Sequence, residues 1–240
     1  MFYLKLCLCI LWCLLFTTLY LLVIPFIYFS ADRFGYWTKG LSWGVRALSG
    51  IDATMENPEF LTRHPTIVVV GNHQSAVDVV TYGKFTPPKV VAVGKKEIFR
   101  IPIIGWTFAL SGGIGLDRSN SSKAIRQLQE LVSRMRAGKL CVGILPEGTR
   151  NRHPETLLPF KKGAFHLAID SGAWIVPIVS GPVGTLFDLK KRIARPGVVK
   201  MVALEPVSTQ GLTREDLKPL MHSIQASMQL EVNRLFGESQ

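Results

Sequence analysis

The run Gly71-Asn72-His73-Gln74-Ser75-Ala76-Val77-Asp78 places a histidine and a carboxylate five positions apart. These are the two groups needed for a general base and the residue that orients it. On one regular helix five residues advance about 500°, roughly 140° beyond a full turn, so the two would not face each other. They meet if His73 lies in a strand-to-helix turn and Asp78 one turn into the helix. The carboxylate then accepts from one imidazole nitrogen and fixes the tautomer, leaving the other nitrogen to take a proton from a hydroxyl. Alone, a His-x4-Asp spacing is a weak signal, because a lone histidine more often serves structure than chemistry.

A second cluster supplies anion chemistry. In Pro146-Glu147-Gly148-Thr149-Arg150, Arg150 offers a planar fork for a phosphate, Thr149 a hydroxyl donor, and Gly148 a backbone that an anion can approach closely. Glu147 cannot attract phosphate and is expected to orient backbone or arginine. Ten residues on, Phe160-Lys161-Lys162-Gly163 leads into a helix, setting two ammonium groups beside a positive helix N-terminus. Gly112-Gly113-Ile114-Gly115-Leu116-Asp117-Arg118 is either an ordinary turn or one that presents Arg118 to the same anion. It lacks the G-x-G-x-x-G spacing of a dinucleotide site, and the chain has no Walker A sequence. There is no G-x-S-x-G elbow and no cysteine paired with a base to act as nucleophile.

Metal chemistry finds no support. Three of the four cysteines, Cys7, Cys9 and Cys13, share one apolar run, Cys141 stands in a strand-like segment, and no C-x-x-C or His pair at ligand spacing occurs. They read as small hydrophobes in a reducing compartment.

The elements that must position these groups have the rhythm of an α/β domain. Thr66–Val70, Val90–Val93, Leu140–Leu145, Trp174–Val179 and Val198–Leu204 are continuous apolar runs, which predicts a mixed, largely parallel sheet covered by helices on both faces. Helices are expected over Ser121–Ala137, ended by Gly138, over Ala164–Asp170, and over most of Pro219–Phe236. Ahead of this domain, residues 6–28 carry no charge, a length sufficient to cross a bilayer or lie deep in one leaflet, with Pro25 expected to break or kink its end. A cleaved signal peptide would be shorter and end in a small-x-small site. Residues 34–50 interleave Tyr36, Trp37 and Trp43 with Lys39 and Arg46, which suits the headgroup layer, the alternative being a helix packed on the domain. The division is therefore 1–50, a two-helix membrane anchor, and 51–240, the α/β domain.

The 240-residue chain is 48% apolar, 19% charged and carries a net charge of +11, which excludes a disordered or acidic protein. Between Lys84 and Lys162 there are fifteen Lys+Arg against five Asp+Glu. Nearly the whole excess thus lies around the phosphate-type motifs, behind an apolar anchor. That location points to lipid phosphates and an acidic membrane surface, with no nucleic-acid partner.

Taken in order, NHQSAVD, KKEIFRIPIIGW, GGIGLDR, PEGTR, FKKG and VPIV resemble the glycerophospholipid acyltransferase family, and within it the 1-acyl-glycerol-3-phosphate (lysophosphatidic acid) acyltransferases. The motifs cover about residues 66–182, and Leu145 stands where many relatives have an aromatic. The resemblance implies that His73 is the base and Asp78 its partner. Arg118, Glu147, Gly148, Thr149, Arg150 and Lys161 would form the phosphate site, and Val176, Pro177, Ile178 and Val179 the acyl-chain region or the core supporting it. The implied reaction moves an acyl group from acyl-CoA or acyl-acyl-carrier protein to the sn-2 hydroxyl of lysophosphatidic acid, giving phosphatidic acid, with no bound cofactor. Membrane lipids would be partners, and the active site would lie on the cytoplasmic face, of the inner membrane if bacterial. The rival readings are another acceptor (lyso-ornithine lipid, another lysophospholipid or glycerol-3-phosphate) or a non-catalytic protein that binds anionic lipid.

Overall fold

The computed structural model describes residues 2–116 and 121–238. At its centre is a seven-stranded sheet of β1 (Ile51–Glu56), β2 (Ile67–Gly71), β3 (Val90–Lys95), β4 (Ile114–Leu116), β5 (Cys141–Ile144), β6 (Trp174–Ser180) and β9 (Gly197–Ala203). A separate two-stranded hairpin, β7 (Phe187–Asp188) with β8 (Ile193–Ala194), precedes β9. The spatial order is β1-β9-β6-β2-β5-β3-β4. From β6 to β4 neighbours run parallel, β9 is antiparallel to β6, and β1 lies parallel to β9 at the edge.

The sheet is mixed and largely parallel, as the continuous apolar runs require. All five residues of β2 are buried, the state of a strand with both faces covered. One helical layer consists of α5 (Ser121–Arg136), α6 (Gly163–Ser171) and α7 (Leu217–Gly237), which pack on each other and on β2 and β6. Another consists of α2 (Arg33–Ser49) against α3 (Asp78–Lys84), β1 and β3, with α4 (Ile104–Leu110) nearby. Small polar residues let α2 and α3 approach: Ser42 Oγ donates to the Val80 carbonyl at 2.6 Å, and Thr38 Oγ1 lies 2.9 Å from Thr86 Oγ1.

Four local features differ from the sequence expectation. The polar stretch Ile51–Glu56 forms β1, because an edge strand with one open side accepts Asp52, Thr54 and Glu56. The glycine-rich motif contributes β4 rather than only a turn. Asp78 is the first residue of α3, not one turn into it. Pro25 does not end the first helix, α1 (Phe2–Ile27), which runs two residues further.

Pro177 stands inside β6, where a proline would ordinarily cost a ladder bond. The ladder to β9 is already interrupted here. It runs over Ile178–Ser180 and resumes as a single bridge from Ile175 to Val207. The Pro177 carbonyl still accepts from Leu204 N at 2.8 Å.

α1 and α2 form an antiparallel hairpin. The Tyr20 hydroxyl donates to the Arg33 carbonyl near the turn, and Lys5 Nζ reaches the Ser49 carbonyl at 3.1 Å at the other end. Gly40 and Gly44 of α2 lie under the rings of Phe16 and Trp12, where any side chain would collide. Within α1 only Thr17, Tyr20 and Ile24 are buried. Leu11, Leu15, Leu22 and Phe26 are exposed, and Phe29 beyond the helix is 98% exposed.

Candidate active site

The two chemical clusters leave neighbouring strands at the same edge of the sheet. β2 and β5 pair in parallel with Val70 opposite Ile144, so the loop carrying His73 and the turn carrying Glu147 emerge side by side at the C-terminal ends of the strands. That edge is where open α/β sheets place their ligands.

His73 Nδ1 lies 2.7 Å from Asp78 Oδ2. The same oxygen accepts from the backbone N–H of Gln74 at 2.6 Å and of Ser75 at 3.0 Å. Asp78 is 2% exposed, and three donors on one oxygen hold its charge in that position. Because a carboxylate can only accept, Nδ1 carries the proton, and Nε2 of the partly exposed His73 ring is left as the basic nitrogen. The helix start makes this possible: with Asp78 at the first position of α3, its carboxylate turns back onto the loop before it.

Both backbone groups of His73 bind the Pro146–Asn151 segment. Glu147 Oε1 accepts from His73 N at 2.8 Å, and the His73 carbonyl accepts from Asn151 N at 2.7 Å. Gly148, Thr149 and Arg150 therefore form a bow stapled at each end to His73. The Thr149 and Arg150 side chains stand exposed on it. Glu147 Oε2 takes the Leu158 N–H at 3.0 Å, so both carboxylate oxygens are engaged by backbone. Burial pushes its carboxyl above the ordinary range, opposed by the hydrogen bonds from His73, Leu158 and Asn151.

Gly148 adopts φ +68°, a conformation favouring glycine, and Lys161 lies against it: a Cβ at 148 would sit 2.7 Å from Lys161 Nζ. Lys161 N also donates to the Pro146 carbonyl at 2.9 Å, so FKKG and PEGTR form one surface. Arg118 lies outside the described residues. Val176, Ile178 and Val179 have exposures of 0–3% in the middle of the sheet. No group of three or more His, Cys, Asp or Glu able to hold a metal occurs among the described residues. A pocket of about 400 Å³ between β4 and α5, lined in part by Lys96, Phe99, Gln127 and Arg134, contains no residue of the His73 or Glu147 clusters.

Sequence reasoning missed Asn72, Gln74 and Asn151. Asn72 is 1% exposed; its Oδ1 accepts from Ser180 N at 2.8 Å, and its Nδ2 donates to the Ser180 carbonyl at 3.0 Å. Gln74 Nε2 donates to the carbonyls of Ser180 and Gly181 at 2.7 and 3.1 Å. The side chains flanking His73 thus tie its loop to the end of β6. The available signal was position: amides directly after a wholly apolar strand have backbone to satisfy.

A family model for acyltransferases matches residues 52–181, a span that holds every one of these groups. The chain belongs to the acyltransferase family. It is 34% identical over 202 residues to an uncharacterized acyltransferase of Schizosaccharomyces pombe, covering 81% of this chain and 72% of that protein. It is 35% identical over 185 residues to the 1-acyl-sn-glycerol-3-phosphate acyltransferase of Saccharomyces cerevisiae, covering 77% of this chain and 61% of that protein. The crystal structure of the 1-acyl-sn-glycerophosphate (LPA) acyltransferase of Thermotoga maritima shares the fold, with a TM-score of 0.70, 22% identity, and 94% of this chain and 95% of that one covered. In this acyltransferase the His73–Asp78 pair and the Gly148 bow lie within the matched span.

Proposed function

We propose that this acyltransferase moves an acyl group from a thioester donor, acyl-CoA or acyl-acyl-carrier protein, to the sn-2 hydroxyl of lysophosphatidic acid, giving phosphatidic acid. The observation that carries the reading is the stapling of the Gly148–Arg150 bow to both backbone groups of His73. It fixes a phosphate-type cradle beside a base whose Nε2 is free for a hydroxyl, and the names of the relatives supply the acceptor class.

The acceptor's phosphate is held by Arg150, Thr149 and Lys161, with the backbone at Gly148 open to it; Arg118 joins this set by its motif. Glu147 acts as the brace that holds the bow. His73 takes the proton of the hydroxyl as its oxygen attacks the thioester carbonyl, and Asp78 stabilises the imidazolium that forms. Collapse of the tetrahedral intermediate expels the donor's thiolate, which takes the proton from His73. No acyl-enzyme forms. Proton transfer of this kind contributes about 10²–10⁴-fold, so positioning of the acceptor by its phosphate supplies much of the rest. Val176–Val179, closed inside the sheet, support the site from below. Residues 1–50 anchor the 51–240 domain in the membrane, α1 being long and apolar enough to cross it, with the active site on the cytoplasmic face where the donor resides.

The test is a thin-layer assay of labelled acyl donor against a panel of lysolipids. His73→Ala should keep lysophosphatidic acid binding and lose transfer, whereas Arg150→Ala should raise KM for the phosphorylated acceptor. Full activity of His73→Ala, or wild-type kinetics of Arg150→Ala, would overturn the corresponding role, and preference for another lysolipid would replace the acceptor.

A further inference from the structure

Asp78 and Tyr82 are four residues apart on α3 and so share one helix face. Both reach back to the segment between β2 and α3. The Asp78 carboxylate holds His73, Gln74 and Ser75. The Tyr82 hydroxyl sits 3.0 Å from the Asn72 carbonyl and 3.1 Å from Asn72 Oδ1, the oxygen that also takes the Ser180 N–H. The ring lies over Gly71, where a Cβ would come within 2.6 Å of the hydroxyl oxygen. A phenol in this place therefore ties three elements together: α3 that bears Asp78, the end of β2 that leads into His73, and the end of β6.

We propose that Tyr82 is a positioning residue for the His73–Asp78 pair, resting on the reading of His73 as the base: its hydroxyl fixes the distance between the start of α3 and the residue preceding His73. Burial, with the Asp78 and Glu147 carboxylates behind it, pushes the phenol well above its ordinary range, so it remains a donor throughout the working pH range. Its loss would orphan the buried Asn72 carbonyl and free α3 to shift, lengthening the Nδ1–Oδ2 contact, while the cradle keeps both of its own bonds to His73, the N–H on Glu147 and the carbonyl on Asn151 N.

The experiment compares wild type, Tyr82→Phe, Asp78→Asn and the double variant in acyl transfer to lysophosphatidic acid, with thermal midpoints measured in detergent. Tyr82→Phe keeps the ring over Gly71 and removes one oxygen. The expected result is a fall in kcat of about tenfold with KM for the acceptor within about twofold, and no further fall when Tyr82→Phe is added to Asp78→Asn, because the position being held no longer matters. A residue of merely structural importance would lower the thermal midpoint and lose the same factor in both backgrounds. That result overturns the proposal, as does a kcat within twofold of wild type. A wild type inactive on every lysolipid overturns both this proposal and the functional reading, whereas an active wild type beside an unimpaired Tyr82→Phe overturns this one alone.

Discussion

Glu147 carries a negative charge into a site otherwise suited to phosphate, and its surroundings say how this is tolerated. Its two oxygens are spent on the N–H groups of His73 and Leu158, and burial nevertheless pushes its carboxyl above the ordinary 4.5. A carboxyl that binds its proton more tightly in the fold than in the unfolded chain stabilises the fold at pH below its unfolded value. That contribution is lost as pH rises through the folded value. Glu147→Gln removes the titration. The thermal midpoint of the variant relative to wild type should therefore shift in the variant's favour between about pH 4.5 and pH 7, and parallel melting scans in detergent read this directly. A gap that does not change with pH would mean that burial does not govern this group. The amide also turns one acceptor into a donor facing an N–H, so transfer should fall about tenfold, the worth of roughly one hydrogen bond. The sequence excluded Glu147 from attracting phosphate, but its partner was not legible: His73 lies 74 residues away, and only the pairing of β2 with β5 brings them together.

At the scale of elements, the α1–α2 hairpin depends on two glycines. Gly40 and Gly44 are one helical turn apart on α2, and the rings of Phe16 and Trp12 occupy the space their side chains would need. Gly40→Ala with Gly44→Ala would force α1 off α2, an overpacking cost of about 1–3 kcal/mol per site where rings cannot turn aside. A fall of roughly 4–24 °C in the thermal midpoint is expected, and a midpoint equal to wild type would show that the helices are not closely packed. Residues 34–50 left two options in the sequence, a headgroup helix or one packed on the domain, and α2 shows why composition could not choose. One side packs on α3 and β1 and another on α1, while Trp43 and Tyr36 remain exposed. Long buried runs such as Ile67–Gly71 were readable because burial on both faces leaves only apolar residues. β1 was not, because an edge strand keeps polar residues. The His73–Asp78 pair was readable as types and spacing, but the turn of the Asp78 carboxylate back onto its own loop is set by where α3 begins.

For the whole molecule, two forces could hold the chain on a membrane, and they differ in their response to salt. The net charge of +11 acts through cations worth about 1 kcal/mol each near an anionic surface, over a range of about 10 Å at 0.1 M salt and 3 Å at 1 M. The outward side of α1 acts through apolar area. Leu11, Leu15, Leu19, Leu22, Val23 and Phe26 are all exposed, and each contributes about 1.5–3 kcal/mol when removed from water. Six such side chains give roughly 9 kcal/mol or more, which salt does not screen. Flotation should therefore recover the protein with vesicles containing anionic lipid in 1 M NaCl as fully as in 0.1 M, while KM for an anionic acceptor rises with salt because salt screens the charges of Arg150 and Lys161 in the proposed cradle, whereas α1 carries Lys5 as its one charged residue. Release of the protein by 1 M NaCl would mean that α1 is not embedded and that charge alone makes the contact. Retention with a salt-independent KM would mean that the basic segment serves neither the acceptor nor its approach to the site.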